Sequence, residues 1–221
     1  MGEIFGEVKV GRKTLIEKDA KIFGPAIIGS NTYIGSGCII GFPSRGELRK
    51  ALKSGSLNFA GNFKKPTEIG SRVIVRPGCI IYSGVKVGDD VEIGHGAILR
   101  EETVVGRESM IGSRVVIEGF SRLGEKVSAQ TGAYISMYTE VGNRVFLGPY
   151  CLLLNDKYMG RKPYRLKGPT VEDEACIGAG AIIMPRVRVG RGAMVGAGAV
   201  VVEDVEAGAV VVGAPAKPIR R

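Results

Sequence analysis

A three-sided parallel β-helix is the fold class that this 221-residue sequence predicts, on three observations. First, an aliphatic residue recurs at every sixth position from 69 to 153: Ile69, Val75, Ile81, Val87, Ile93, Leu99, Val105, Ile111, Ile117, Leu123, Ile135, Val141, Leu147 and Leu153, with Ala129 the small member of the run. Side chains repeat about every 3.6 residues in a helix and about every 2.0 in a strand, so this step belongs to neither. It is the period of a chain wound into short flat segments. Second, the residue after each aliphatic one sorts the hexads into three sets. Glycine follows on the first set (70, 88, 106, 124, 142) and often on the second (94, 112, 148), whereas the third carries Tyr82, Arg100, Glu118, Ser136 and Leu154. Three kinds of hexad imply three faces and a coil of about eighteen residues. Third, the residue four after each aliphatic one is small or medium (Val73, Cys79, Val85, Val91, Ala97, Thr103, Ser109, Val115, Ser121), which suits the wall of a narrow, filled prism.

The elements follow in order. Hexads open with Ile4, Val10, Ile16, Ile22, Ile28, Ile34 and Ile40, and the phase then breaks until Ile69. Residues 41–68 form an inserted loop in which Ser44 can cap a short helix bearing Leu48, Ala51 and Leu52 and ending near Gly55. Its length suits either a solvated ornament or a flap over a ligand or neighbouring subunit. A second insertion, residues 154–170, interrupts the coils after Leu153, and hexads resume at Val171, Ile177, Ile183, Val189, Val195 and Val201. Both insertions leave after a hexad of the third set, so they project from one corner, five coils or about 24 Å apart. A tail, residues 208–221, ends the single β-helix domain; Pro215 and Pro218 are expected to stop ladder pairing there.

Composition narrows the function classes. Of the net charge of +9, six Lys/Arg against two Glu lie in 41–68 and five Lys/Arg against Asp156 lie in 154–170, with Lys217, Arg220 and Arg221 in the tail. Charge held in loops suits the phosphates of a small ligand better than a nucleic-acid groove, which spreads cations and aromatics along one face. The four cysteines lack C-x-x-C spacing; Cys38, Cys79 and Cys151 fall in the inward slot with Cys176 beside it, so they read as packed, reduced thiols of a cytoplasmic protein. No cationic leader with an apolar stretch and no run of about 18 apolar residues is present, so neither secretion nor membrane spanning is expected.

The hexads, together with VGNRVFLGPYCLLLNDKY, GPTVEDEACIGAGAIIMPRVRVGRGAMVGAGAVVVEDV and VVVGAPAKPIRR in 141–221, make the chain similar to the hexapeptide-repeat acyltransferases of the left-handed β-helix class. The C-terminal segments resemble the branch that N-acetylates nucleotide-linked amino sugars. The resemblance implies a homotrimer binding acetyl-CoA between adjacent prisms, with no metal. It places CoA contacts at Ala179, Ala197, Val202, Glu203, Lys217 and Arg220, where small residues leave backbone amides reachable and terminal cations suit phosphates. Glu203 stands where relatives often carry Lys or Thr.

Many relatives place a catalytic histidine in the loop after the GP-containing hexad; here Tyr158 stands near that position, and Asn155 matches the asparagine of the amino-sugar branch. An amine attacks a thioester with less assistance than a hydroxyl, so Asn155 is expected to position the acceptor, with Asp156 holding its cation or taking a proton. The sole histidine, His95, is a second candidate base, on another corner more than three coils away. Tyr138, Glu118 and Ser136 could line the acceptor side. Alternatives are an O-acetyltransferase of the same fold, a non-enzymatic scaffold or regulatory subunit, and a γ-type carbonic anhydrase, for which one histidine per chain lacks the family's spacing.

Overall fold

A computed structural model describes residues 2–55 and 65–219. Three sheets run the length of the molecule, of ten, nine and eleven strands, and consecutive strands of the chain fall in turn on each. The first face carries Ile69, Val87 and Val105, the second Val75, Ile93 and Ile111, and the third Ile81, Leu99 and Ile117. Each strand pairs in parallel with the one a coil away, eighteen residues on, as in Ile81 with Leu99 and Leu99 with Ile117. One aliphatic residue per two-residue strand points inward. Ile81, Ile93, Leu99, Ile117, Ile135, Leu147 and Leu153 are fully buried, and so are the interleaved Val73, Cys79, Val85, Val91, Ala97, Thr103 and Val115. Large and small side chains alternate around each coil, and like stacks on like up the axis, as in Ile81, Leu99, Ile117 and Ile135.

The glycines of the first two faces answer to close stacking of coils at the turns. A Cβ added to Gly88 would lie 2.6 Å from the backbone nitrogen of Arg107 in the next coil. Gly88→Ala is therefore expected to cost about 1–3 kcal/mol in urea-induced unfolding, because the coils must part to admit the methyl group.

Both sheets carry on past the insertions. Leu153 pairs with Ile183 in unbroken register, whereas at the first insertion Ile40 pairs with Ile81 but the register then slips by one residue, a bulge at Gly41 that sets Tyr82 opposite Phe42. Both depart after a strand of the third face and rejoin on the first, which places them on one corner, five coils apart on the third-face ladder. In the first insertion the expected helix runs Arg45–Ser54. Ser44 Oγ accepts from the Glu47 amide and Glu47 accepts from the Ser44 amide, a reciprocal N-cap, while Gly55 closes the helix in the left-handed region at φ 65°. Its apolar spacing does not seat it in the core, because none of its residues is buried and Leu52 is 69% exposed. Glu47 instead anchors it, accepting a 2.7 Å hydrogen bond from the Ser83 hydroxyl of the coil body.

The tail departs from expectation. The prolines do not end pairing: Lys217–Pro218 folds back antiparallel on Val210–Val212, with Val212 opposite Lys217. Pro218 has no N–H to give, and the Ile219 amide donates to the Val210 carbonyl instead. The last parallel edge of the second face is thereby covered.

Cys38, Cys79 and Cys151 are buried free thiols, and burial pushes the Cys151 thiol up to about 12. Among the described residues no helix is long and apolar enough to cross a membrane.

Carboxylates brace the outer turns. Arg72 Nε donates to Asp90 at 2.6 Å and holds its carboxyl below the ordinary 3.8. The Asn143 amide does the same for Asp173, and the Arg144 side chain for Glu174. Lowered pKa values mean stabilisation that is full above the ordinary carboxylate range and is lost as pH falls through the folded values. Thermal midpoints are expected to hold from neutrality to about pH 5 and to drop below about pH 4, with a smaller acid-induced drop in Arg72→Ala.

Candidate active site

The corner between the third and first faces carries the most distinctive constellation. In four successive coils this turn holds one residue in the left-handed backbone region, Gly84, Glu102, Phe120 and Tyr138 in order, at φ 73°, 61°, 60° and 62°. Phe120 and Tyr138 lie one above the other, ring centroids 5.4 Å apart and planes 23° from parallel. Where the next coil would place its corner residue the second insertion leaves, and Arg186 takes the position above it at φ 68°.

A cavity of about 750 Å³ opens beneath that insertion, lined by Phe120 and Tyr138, by Arg122 and Glu140 of the first face, by Met137, by Arg165, Leu166 and Lys167 of the loop, and by Arg186. A smaller one of about 230 Å³ continues from Phe120 to Ser44, Glu47, Lys65, Ser83 and Glu101. A furrow thus joins the two insertions along one corner.

The second insertion is built around Asp156, whose carboxylate accepts from the amides of Tyr158, Met159 and Gly160 at 2.8, 3.0 and 2.9 Å. Tyr158 and Tyr164 meet edge to face at 5.2 Å, and Lys162 lies 3.8 Å from the Tyr158 ring centroid. Arg186 pins the returning strand, donating to the Tyr164 hydroxyl at 2.8 Å and the Arg165 carbonyl at 3.1 Å. Asn155 is half-buried at the loop's root. Its Nδ2 donates to the Met137 carbonyl at 3.2 Å and its carbonyl accepts from the Lys167 amide at 3.3 Å, so it is bonded to two residues of the cavity wall. Its side-chain oxygen has no hydrogen-bond partner among the described residues.

Arg122, Arg165 and Lys167 make no ion pair among the described residues, and Glu140 is the single carboxylate in that cavity's lining. Unneutralised cations around a concave site favour an anionic ligand.

The other sequence-predicted residues fall elsewhere. Of the three candidates for the acceptor side, only Tyr138 lines the cavity. Glu118 is paired with Arg100 at 3.2 Å, in a network that Glu101 joins at 2.9 Å. Ser136 is 2% exposed and its Oγ makes no hydrogen bond among the described residues, so it is buried and not part of the cavity lining. His95 is exposed at the corner between the second and third faces, three coils before Asn155 on the third-face ladder and away from it. Ala179 and Ala197 are exposed on that same corner in successive coils, linked by the Gly198 amide donating to the Ala179 carbonyl at 2.8 Å. Val202 and Glu203 are exposed on the corner of Asn155, two coils further on, and Lys217 is exposed on the folded-back tail. Arg220 lies outside the described residues. Within one chain, therefore, the residues expected at CoA are themselves split: Ala179 and Ala197 lie on a different corner from Asn155, whereas Val202 and Glu203 share its corner. Among the described residues no group of three or more His, Cys, Asp or Glu side chains is placed to hold a metal ion.

The sequence reading missed Phe120 and the cations Arg122 and Arg186. A signal was available, since Phe120 precedes Tyr138 by one coil length and so shares its corner.

This prism with a furrow at its looped corner defines a class. The model of the bacterial transferase hexapeptide family matches residues 66–101 and 168–202, and that of the hexapeptide repeat of succinyl-transferase matches 25–43. Over these segments the chain carries hexapeptide repeats of the transferase kind, wound as a parallel β-helix of three sheets that is consistent with the left-handed class. It is 39% identical over 140 residues to the bifunctional protein GlmU of Thermotoga maritima, covering 62% of this chain and 29% of that protein. Against the bifunctional protein GlmU of Bacillus subtilis the identity is 34% over 200 residues, covering 90% of this chain and 41% of that protein. The chain thus spans less than half the length of these relatives. Among solved structures, a perosamine N-acetyltransferase from Caulobacter crescentus, in complex with CoA and GDP-perosamine, aligns at 20% identity and a TM-score of 0.47, over 84% of this chain and 70% of that one. The acetyltransferase domain of PglB from Neisseria gonorrhoeae aligns at 19% identity and 0.45, over 83% and 100%.

Proposed function

We propose that the protein transfers an acetyl group from acetyl-CoA to the amine of a nucleotide-linked amino sugar, working as a homotrimer. The observation that carries the reading is Asn155, seated by the Met137 carbonyl at the wall of a cation-rich cavity, with an amide oxygen left to accept from an acceptor N–H. In the reaction the neutral amine attacks the thioester carbonyl, a C–N bond forms, the C–S bond breaks, and CoA departs as a thiolate that takes up, through solvent, the proton the amine gives up. Asn155 aims the amine, and the rate gain comes mainly from alignment. Asp156 accepts from three backbone amides and so shapes the loop that carries Asn155, with Oδ2, which takes only one of them, left to hold the acceptor's cation or take its proton.

Assembly completes the site. The second face presents Leu15, Ile74 and Phe146 outward, 58%, 37% and 40% exposed, a row that a neighbouring prism would cover. A threefold arrangement brings the Asn155 corner of one subunit against the corner of its neighbour that bears Ala179 and Ala197. Val202 and Glu203 then flank the same groove, and Lys217 stands at its end for the CoA phosphates.

The test is calorimetric titration with CoA, followed by measurement of CoA thiol release from acetyl-CoA in the presence of UDP-, dTDP- and GDP-linked amino sugars. Saturable CoA binding and amine-dependent release are expected. Release with a hydroxyl sugar alone would make the enzyme an O-acetyltransferase, and absence of CoA binding would leave a scaffold. Equilibrium sedimentation should give three times the chain mass.

A further inference from the structure

We propose, building on the acyl-transfer reading, that the stacked Phe120 and Tyr138 form the floor on which the acceptor's nucleobase lies, with Arg122, Arg165 and Lys167 taking its diphosphate. Burial does not account for the two rings, which remain 45% and 42% exposed. Local backbone preference does not account for them either. Their corner position has a left-handed backbone, at φ 60° and 62°, that bulky residues seldom adopt and that Gly84 fills two coils before Phe120, with Glu102 between. A flat, nearly parallel pair left open to a cavity is the arrangement on which a heteroaromatic ring stacks whatever its base identity.

The rest of the cavity fits the remainder of such a ligand. Three cations free of ion pairs among the described residues stand on two of its walls, Arg122 from the first face and Arg165 and Lys167 from the loop, on either side of the rings. Arg186 is spent on Tyr164 and the Arg165 carbonyl, and so holds the loop cations in place. Spacing along the axis also agrees. Asn155 is tied to the residue before Tyr138, and Phe120 lies a further coil away, so base and acetylated amine are separated by about two coils, roughly 10 Å. A ribose, a diphosphate and a sugar ring lie between base and amine, so the ligand binds bent over that interval. The adenine of CoA is the other flat ring in the reaction. It is placed by the alanine corner and the tail, toward the opposite end of the groove.

The experiment titrates the full-length protein separately with UDP, dTDP, GDP, inorganic pyrophosphate and CoA, and repeats each titration with Phe120→Leu, the double variant F120A/Y138A and Arg122→Ala. Phe120→Leu keeps the bulk and loses the flat face, so it remains informative where the double variant fails to fold. The nucleoside diphosphates are expected to bind at least tenfold more tightly than pyrophosphate. Removing the aromatic faces should weaken the nucleoside diphosphates about tenfold while leaving pyrophosphate and CoA unchanged. Arg122→Ala should weaken nucleoside diphosphates and pyrophosphate alike. The proposal is overturned by pyrophosphate binding as tightly as UDP, by aromatic variants that bind UDP like the wild type, or by loss of CoA binding in place of UDP binding. A protein that binds UDP through the aromatic pair but binds no CoA would retain the stacking floor and lose the acyl-transfer reading.

Discussion

Mixed trimers formed from Asn155→Ala and Ala197→Tyr subunits are expected to regain activity that neither variant has alone. Asn155→Ala removes the group that aims the acceptor and should lower kcat/KM about 100-fold with the fold and CoA affinity intact. Ala197→Tyr fills the exposed corner proposed for CoA and should abolish its binding. If each site joins the Asn155 corner of one subunit to the Ala197 corner of the next, an equal random mixture leaves about a quarter of the sites with both halves intact. Co-expressed and co-purified variants should therefore show roughly that fraction of wild-type turnover. Turnover no higher than that of the separate variants would place both halves in one chain and sink the shared-groove geometry. The division of the candidate residues between two corners of one prism is what makes this outcome the expected one.

The second large effect concerns the column. Ile117 is fully buried, between Leu99 and Ile135 of the adjacent coils. Ile117→Ala removes most of a side chain from a stack whose neighbours are fixed by their own ladders and cannot collapse inward, so a loss of about 2–5 kcal/mol is expected. For a chain of this size that is a fall of about 5 to 20 °C in Tm. Val116, next to it in the same strand, points outward, and Val116→Ala should cost less than about 1 kcal/mol. Because each coil contacts only its neighbours, the loss at Ile117 is felt at two interfaces, whereas the same change at Ile4, 39% exposed at the first coil, is felt weakly. Equal losses at positions 116 and 117 in denaturant titrations would contradict the inward assignment.

The column was legible because its rule repeats. Ile69, Val87 and Val105 each announce the same face, and a glycine follows where coils press together, so errors at one hexad are corrected by the next. The corner from which both insertions leave was legible for the same reason, since the glycine-free set can be counted across a gap. The capped helix at Ser44 was also readable, as a local hydrogen-bonding signature, but its failure to bury Leu52 was not, because amphipathic spacing states a preference and not a partner. Site residues carry no such redundancy. That Asp156 gathers three backbone amides on its carboxylate, and that Ser136 is buried, could not be read from either residue's place in the sequence. Such properties depend on how an aperiodic loop folds over the corner. The Lys217–Pro218 pairing shows the limit of a residue-level rule, since proline was accommodated by shifting the donor to Ile219.

The pairing of Leu153 with Ile183, and of Ile40 with Ile81 up to a one-residue bulge, carries a consequence for how such a molecule changes over time. Loops whose stems are already closed by neighbouring strands impose no spacing on the scaffold. They can be lengthened, shortened or exchanged without recutting a single coil. New acceptor preferences can therefore arise at one edge of the column while the machinery that keeps it folded goes on unaltered.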